Sequence, residues 1–432
     1  RVSTLEHLSL DGRPEEDRRI QGRFQETRDR IHESMSADNR CNITTAQPLV
    51  IGDTVVYRTI GDVTAVSLTT GELLWRSAMI DEMLMRVLNP RSIDARLRTG
   101  RGLTLASYLE RRIFRDNVAG TLSSDGRLVY SLEELESPGH FNDSSANKLV
   151  AFDLAGGRIQ WEIGGPRGTR PVEFSGQFFL GAPLPTNDRL YLLSETQGVL
   201  QLLVLKHDSE KEAVEQEWSQ TLVATERTLA SHMPRRLSGL SPSISDGVIV
   251  CPTSSGAVVA VDEKRRELLW GFQYPTSVMP EPRDFAGFRR MSTQPPGDET
   301  DRIDRSMEGP VVIADGRVLV APRDSNHIFC LDLVDGRLLW KHEREGWAYI
   351  ACVVDEKVVL VDRNGIKALK LPDGNLEDSF EVTAIEASGR GVRSGMSYFL
   401  PLKTGEIATV DLHNGRFLAR SKLSEGLVPG NL

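Results

Sequence analysis

The sequence is poor in the features that mark most chemical machinery. Its four cysteines, Cys41, Cys251, Cys330 and Cys352, include no adjacent pair and no CxxC spacing, which removes the common dithiol and zinc frameworks. No apolar run reaches the length of about 18 residues that a membrane-spanning helix needs, so none is predicted. Basic residues do not predominate: 52 Lys and Arg stand against 61 Asp and Glu, a net charge of −9. A nucleic-acid partner is therefore not expected, because such binding needs basic surface. No GxSxG, Walker A or GxGxxG motif is present, the eight His form no HExxH, and no EF-hand loop occurs. No catalytic residue and no metal site is predicted from motifs of this kind. Aromatic residues make up only 6%, which makes their placement informative.

One phrase recurs along the chain. It reads Ala65-Val-Ser-Leu-Thr-Thr-Gly71-Glu-Leu-Leu-Trp75, and returns as Ala151-Phe-Asp-Leu-Ala-Gly-Gly157-Arg-Ile-Gln-Trp161. It returns again as Cys330-Leu-Asp-Leu-Val-Asp-Gly336-Arg-Leu-Leu-Trp340, and from Ala260 to Trp270 with Arg266 in the glycine slot. Copies without Trp end in Gly374 and Gly415, and a looser copy with a widened turn ends in Trp218. Trp75, Trp161, Trp270 and Trp340 each stand ten residues after the start of the phrase. Alternating apolar residues predict a strand with one face in a core. The glycine supplies the positive φ of a tight hairpin. The Trp is predicted to be a recurrent packing plug between sheets.

Two further strands precede each phrase, as in Pro310-Val-Val-Ile-Ala-Asp-Gly316-Arg-Val-Leu-Val320. Four antiparallel strands per unit of about 40 residues describe propeller blades. Seven units are predicted, with inner strands starting near residues 47, 118, 180, 240, 310, 349 and 390. The phrase Ala-x-Asp-Leu-x-x-Gly-x-x-x-Trp resembles the repeat of the PQQ-like (pyrroloquinoline-quinone-type) propellers. The predicted fold class is all-β: a seven- to eight-bladed β-propeller of four-stranded antiparallel blades, with a short N-terminal helix and a helical insert. The domain expectation is an N-terminal helical or irregular extension over 1–44 and a propeller over 45–432 truncated in its last blade, with insertions at 77–117 and 272–308. The resemblance implies eight blades in many members, and the expectation is that an eighth lies mostly beyond the C-terminus, a closed seven-blade ring being the alternative. Arg rather than Met at position 1 leads to the expectation of a processed or trimmed chain, or a fragment.

The connections between units at 77–117, 163–178, 220–239 and 272–308, and one within a unit at 132–147, are long and irregular, whereas the turns within the phrase are mostly short. Extra sequence therefore gathers on one face, where function tends to sit. Residues 103–115 fit an amphipathic helix, read as a lid or a rim helix. In 13–36 the spacing of Ile20, Phe24, Ile31 and Met35 predicts another helix. Tyr274, Phe285 and Phe288 are candidate partner contacts. A polar ring of loop tips is predicted on the same face, comprising Arg58, His140, Asp143, Glu195, Ser254, Arg323, Asp324, Asn326, His327, Arg363, Asn364 and Lys403. From it Arg58, His140, Asp143, Arg323, Asp324, His327 and Asn364, together with Trp347, are the ligand-binding candidates. The repeat residues Trp75, Trp161, Trp218, Trp270, Trp340, Gly71, Gly157, Gly336, Gly374 and Gly415 are read as structural.

The resemblance also implies what catalytic members need: a disulfide between adjacent cysteines against the quinone cofactor, with acidic and Asn ligands for calcium. Lacking a Cys-Cys pair, the chain is expected to bind no PQQ and no other cofactor. The expected function is a non-catalytic binding or scaffold propeller for a protein or a small polar ligand. The alternatives are a quinone-dependent dehydrogenase-like enzyme or an envelope protein like the outer-membrane assembly factors. The resemblance implies an extracytoplasmic setting, periplasmic or cell-envelope.

Overall fold

The computed structural model describes residues 22, 24–27, 29–31, 43–78, 105–134, 146–166, 173–208, 213–225, 229, 232–276, 311–322, 324–344, 347–362, 365–424 and 427–432. These residues build seven antiparallel sheets, each of consecutive strands running A to D in sequence order. Blade 1 is Leu49–Ile51, Thr54–Arg58, Val63–Ser67 and Leu73–Arg76. Blade 2 is Ser123–Ser124, Leu128–Glu134, Asn147–Asp153 and Ile159–Gly164. Blade 3 is Leu184–Thr186, Arg189–Thr196, Val199–Asp208 and Ala213–Ala224, with Phe178–Phe179 paired to its B strand as a fifth. Blade 4 is Ser243–Ser245, Val248–Pro252, Ala257–Asp262 and Glu267–Gln273. Blade 5 is Val312–Ala314, Arg317–Val320, His327–Asp332 and Leu338–Glu343. Blade 6 is Trp347–Val354, Lys357–Asp362, Gly365–Lys370 and Leu376–Thr383. Blade 7 is Val392–Ser394, Ser397–Pro401, Glu406–Asp411 and Phe417–Lys422.

The repeat phrase is the C–D hairpin. In blades 2, 4, 5 and 7 the phrase Asp accepts a backbone N–H inside the turn, as in Val334 N to Asp332 Oδ1 at 2.8 Å. The Gly N–H then returns to the carbonyl four residues back, as in Gly336 to Asp332 at 3.0 Å. Every C–D pair carries a register shift, in blade 5 between Cys330 and Leu331, in blade 1 between Ala65 and Val66. A bulge places an extra residue on one strand and breaks the in–out alternation. That is why Leu73 and Leu74 are both exposed while Trp75 is buried.

Three indoles each close a junction with the following blade. Trp75 donates Nε1–H to the Leu154 carbonyl at 2.7 Å, Trp270 to Leu333 at 3.0 Å and Trp340 to Leu371 at 2.8 Å. The same rings lie where a Cβ on Gly157, Gly336 or Gly374 would have to be. Those glycines are thus required twice, for a φ of 67–72° and for the space the indole takes. Four junctions depart from this pattern, that of blades 7 and 1 because Ala419 holds the Trp position. Arg266 adopts φ 62° in the glycine slot, and its guanidinium lies 5.6 Å over the Trp218 ring while bonding Glu217 at 2.6 Å. Phe380 replaces Trp in blade 6 and meets Gly415. At the widened turn of blade 3, Trp161 lies 5.8 Å from Tyr130, and its Nε1 has no partner among the described residues.

The apolar core is divided among the junctions rather than gathered in one mass. Separate buried clusters join blades 1 and 2, 2 and 3, 3 and 4, 4 and 5, 5 and 6, and 6 and 7. Cys251, Cys330 and Cys352 sit within these layers, in different blades, and are free thiols.

The described residues form seven blades, within the expected seven to eight. The C-terminal residues act as a clasp. Asn431 accepts from Arg390 N at 2.7 Å and donates to the carbonyls of Thr44 at 2.9 Å and Ala46 at 2.6 Å. Leu432 N also bonds the Arg390 carbonyl at 3.0 Å. One side chain thus ties the segment leading into blade 7 to the one leading into blade 1.

Two outcomes follow for stability. Trp340→Phe removes a buried hydrogen bond that Trp161→Phe does not, so in urea unfolding it should cost about 1 kcal/mol more. Asn431→Ala removes three bonds and should lower stability by about 2–4 kcal/mol, with faster amide exchange at Thr45 and Arg390.

Candidate functional site

Strand pairing defines the two faces. In blade 5 the first residue of the C strand pairs with the last of the D strand, His327 with Glu343. The B–C tips and the D–A connections therefore share one face, and the C–D turns lie on the other. The long connections between blades all leave and return on the first face.

Two of these connections are built as helices. The 103–115 reading corresponds to helix α1 (Leu105–Phe114), which buries Tyr108, Leu109 and Phe114. It is a packed helix: its Ile113 carbonyl accepts from Thr45 N at 2.8 Å. Arg111 and Arg112 are buried. Arg112 bonds Asp116 at 2.5 Å, and Asp116 caps helix α2 (Asn117–Gly120) by accepting from Ala119 N at 3.0 Å. The Asn117 N–H reaches the Leu237 carbonyl at 3.1 Å, just after helix α3 (Met233–Arg236). Segments leading into blades 2 and 4 thus meet across the inner edge of blade 3, and Gly239 admits no side chain beside Asn117. Residues 22, 24–27 and 29–31 are helical, with Phe24 and Ile31 buried; Ile20 and Met35 lie outside the described residues.

The polar tips are drawn into bonds between blades. Arg58, at the end of the blade 1 B strand, is buried and forms a bidentate pair with Glu133 of blade 2, with Ser131 at 2.7 Å beside it. Glu195 of blade 3 is buried against Arg235 of α3. Burial pushes the Glu195 carboxyl above its usual range in spite of the guanidinium. Asp324 of blade 5 accepts from Gly256 N at 2.9 Å and from the Tyr274 hydroxyl at 2.9 Å, both of blade 4. Lys403 pairs with Glu386 at 2.9 Å.

Of the ligand-binding candidates, the structure describes the side chains of Arg58, Asp324 and His327. Arg58 and Asp324 stand at different junctions, each committed to a neighbouring blade. His327 opens the blade 5 C strand, 5.8 Å from the Phe329 ring, which stacks on Tyr274 at 5.4 Å. Trp347 begins the blade 6 A strand. His140, Asp143, Arg323 and Asn364 lie outside the described residues, as do Phe285, Phe288 and Arg363. Tyr274, expected as a partner contact, is buried at the blade 4–5 junction. The residues that sequence reading missed are the partners: Glu133, Tyr274 as an Asp324 donor, Arg235 and Asn431. Nothing in a linear pattern pairs residues 75 positions apart.

The chemistry available is limited among the described residues. No group of three or more His, Cys, Asp or Glu could hold a metal ion. Burial pushes the Cys330 thiol up to about 12 and that of Cys352 up to about 11, and raises that of Cys251 as well. Such thiols are poor nucleophiles at neutral pH.

Three comparisons bear on kinship. A family model described as outer membrane protein assembly factor BamB matches residues 145–287 and 289–428, together more than half the chain. The crystal structure of BamB from Moraxella catarrhalis is similar at a TM-score of 0.51 and 10% identity, covering 85% of each chain. Quinohemoprotein alcohol dehydrogenase from Comamonas testosteroni is similar at 0.52 and 13% identity, over 90% of this chain and 68% of that one. At such identities the structural likenesses speak for the fold alone. No match was found among the curated proteins.

Removing one member of the Arg58–Glu133 pair strands a buried charge. Glu133→Gln or Arg58→Met alone should lower urea stability by about 3–5 kcal/mol, while the double replacement Arg58→Met, Glu133→Leu should recover most of the loss.

Proposed function

The chain belongs to the PQQ-like propeller repeat family, its matching model being that of the outer membrane protein assembly factor BamB, and on that footing we propose that it is a non-catalytic binding propeller which holds a protein partner on its insert-bearing face. The observation that carries this reading is the fate of the polar tips. Arg58, Glu195 and Asp324 are each bonded to a neighbouring blade or connection, so they stiffen the face instead of converging on a small substrate. A rigid scaffold carrying long, variable connections is the arrangement that recognition surfaces use. Interfaces draw on such loops for complementarity, and their affinity comes from a few anchoring side chains.

Quinone chemistry is the less supported reading. A vicinal disulfide cannot form between Cys251, Cys330 and Cys352, which lie in three separate blades, and no Cys-Cys pair exists in the sequence. The segments leading into blades 2 and 4 also meet at Asn117, Leu237 and Gly239 inside blade 3. A setting in the cell envelope, as the family description suggests, agrees with the partner-binding reading.

The test is affinity capture with wild type and with two versions in which 277–309 or 79–104 is replaced by a short Gly-Ser linker. Loss of a specific partner in one shortened version, with an unchanged thermal midpoint, is the expected result. Identical partner profiles in all three would overturn the assignment to this face. Dye reduction on incubation with PQQ and calcium would overturn the non-catalytic assignment.

A further inference from the structure

The C–D turn of blade 7 holds a chemically labile dipeptide, Asn414-Gly415, in a conformation that keeps it from reacting. Asparagine is a thermolabile residue. Glycine after it makes matters worse, since without a Cβ its backbone nitrogen is unhindered. Here both reacting groups are engaged. The Gly415 N–H donates to the Asp411 carbonyl at 2.8 Å, and Asn414 Oδ1 accepts from Arg416 N at 3.0 Å. Gly415 is buried, and the Phe380 ring of blade 6 lies where its Cβ would be. The corresponding pairs in blades 5 and 6 are Asp335-Gly336 and Asp373-Gly374, held by the same bonds. Gly336 donates to the Asp332 carbonyl at 3.0 Å and Gly374 to that of Lys370 at 2.8 Å. Asp335 and Asp373 accept from Arg337 N and Asn375 N, each at 3.0 Å. The turn therefore accommodates aspartate at this position, and blade 7 carries asparagine instead.

We propose that Asn414 is a deamidation site which the closed junction between blades 6 and 7 protects, so that its modification records an opening of that junction and then hinders its closing. In the open form the Gly415 nitrogen gives up its proton and attacks Asn414 Cγ. The side-chain amide leaves as ammonia and a cyclic imide remains. Water then opens the imide at either carbonyl. Opening at Cγ gives aspartate, which fits as Asp335 and Asp373 do. Opening at the main-chain carbonyl gives isoaspartate, whose backbone runs through Cβ and Cγ and is an atom longer. Such a turn cannot bring Gly415 both to the Asp411 carbonyl and under Phe380. In the closed form the attack is blocked twice: the Gly415 N–H is held by Asp411, and the Phe380 ring pressed on Gly415 bars the movement toward Asn414.

The test incubates the full chain in mildly alkaline buffer, native and in concentrated urea. The tryptic peptide 404–416 is followed by chromatography and mass spectrometry, with its aspartate and isoaspartate forms separated. The other Asn-Gly pair, at 364–365, falls in a different tryptic peptide. Deamidation in the native chain should be slower than in urea by about 10-fold or more, as for any reaction that waits on local opening. Phe380→Ala should remove most of that protection, whereas Trp75→Phe, at a distant junction, should leave it. Equal rates in the native and unfolded chain, a native rate that Phe380→Ala does not raise, or an equal rise in Trp75→Phe overturns the proposal. If Phe380→Ala does not fold, wild type in urea below its unfolding transition replaces it. Deamidation there should rise in step with amide exchange at Gly415, and rates that move independently overturn the proposal. The purified isoaspartate form should melt below wild type while Asn414→Asp matches it; equal midpoints for all three overturn the hindered closing.

Discussion

The fold depends on a tryptophan lying flat on a glycine of the next sheet. A four-stranded sheet of this size cannot bury both faces alone, and each blade is stable only between neighbours. The indole supplies apolar area, a shape that needs the missing Cβ, and an N–H that finds the carbonyl three residues before that glycine. Losing such a ring from a buried site is worth about 3–5 kcal/mol. The bulge in each C–D pair is what turns the Trp inward just after two exposed residues, so local backbone geometry and long-range packing are coupled at one point.

Much of this was legible before any coordinates. The ten-residue offset of Trp75, Trp161, Trp270 and Trp340 marked the hairpins, and the glycines marked the turns. What stayed hidden depended on distance along the chain. Phe380 serves in the Trp role of blade 6 but stands twelve residues after Ala368, beyond a register shift between Lys367 and Leu369, so the phrase does not reveal it. Arg266 reads as a defect in the motif, yet it takes the left-handed conformation and lies over Trp218. The repeat gave the seven units, but not the C-terminal clasp at Asn431, which is made by contacts to Thr44 and Ala46 nearly 390 residues away.

The loop-tip residues show the same limit in another form. Polarity at a turn was a sound guide to which face Arg58 and Asp324 occupy. It could not say what they touch, since a buried ion pair and a ligand anchor use the same side chains. Here they bond to neighbouring blades, which under the proposed binding function leaves recognition to the long connections between blades. The interior chemistry is correspondingly quiet, with thiols held protonated by burial.

The asymmetry of the indole–glycine contact bears on how such rings change size. Both halves, the indole and the receiving turn, belong to a single repeat, one facing forward and the other back. Duplicating or deleting a whole repeat therefore leaves every internal joint complete, with no compensating substitution. Ring size is then set by curvature and by whatever fastens the ends, and here Asn431, outside the repeat, ties the segments leading into blades 7 and 1.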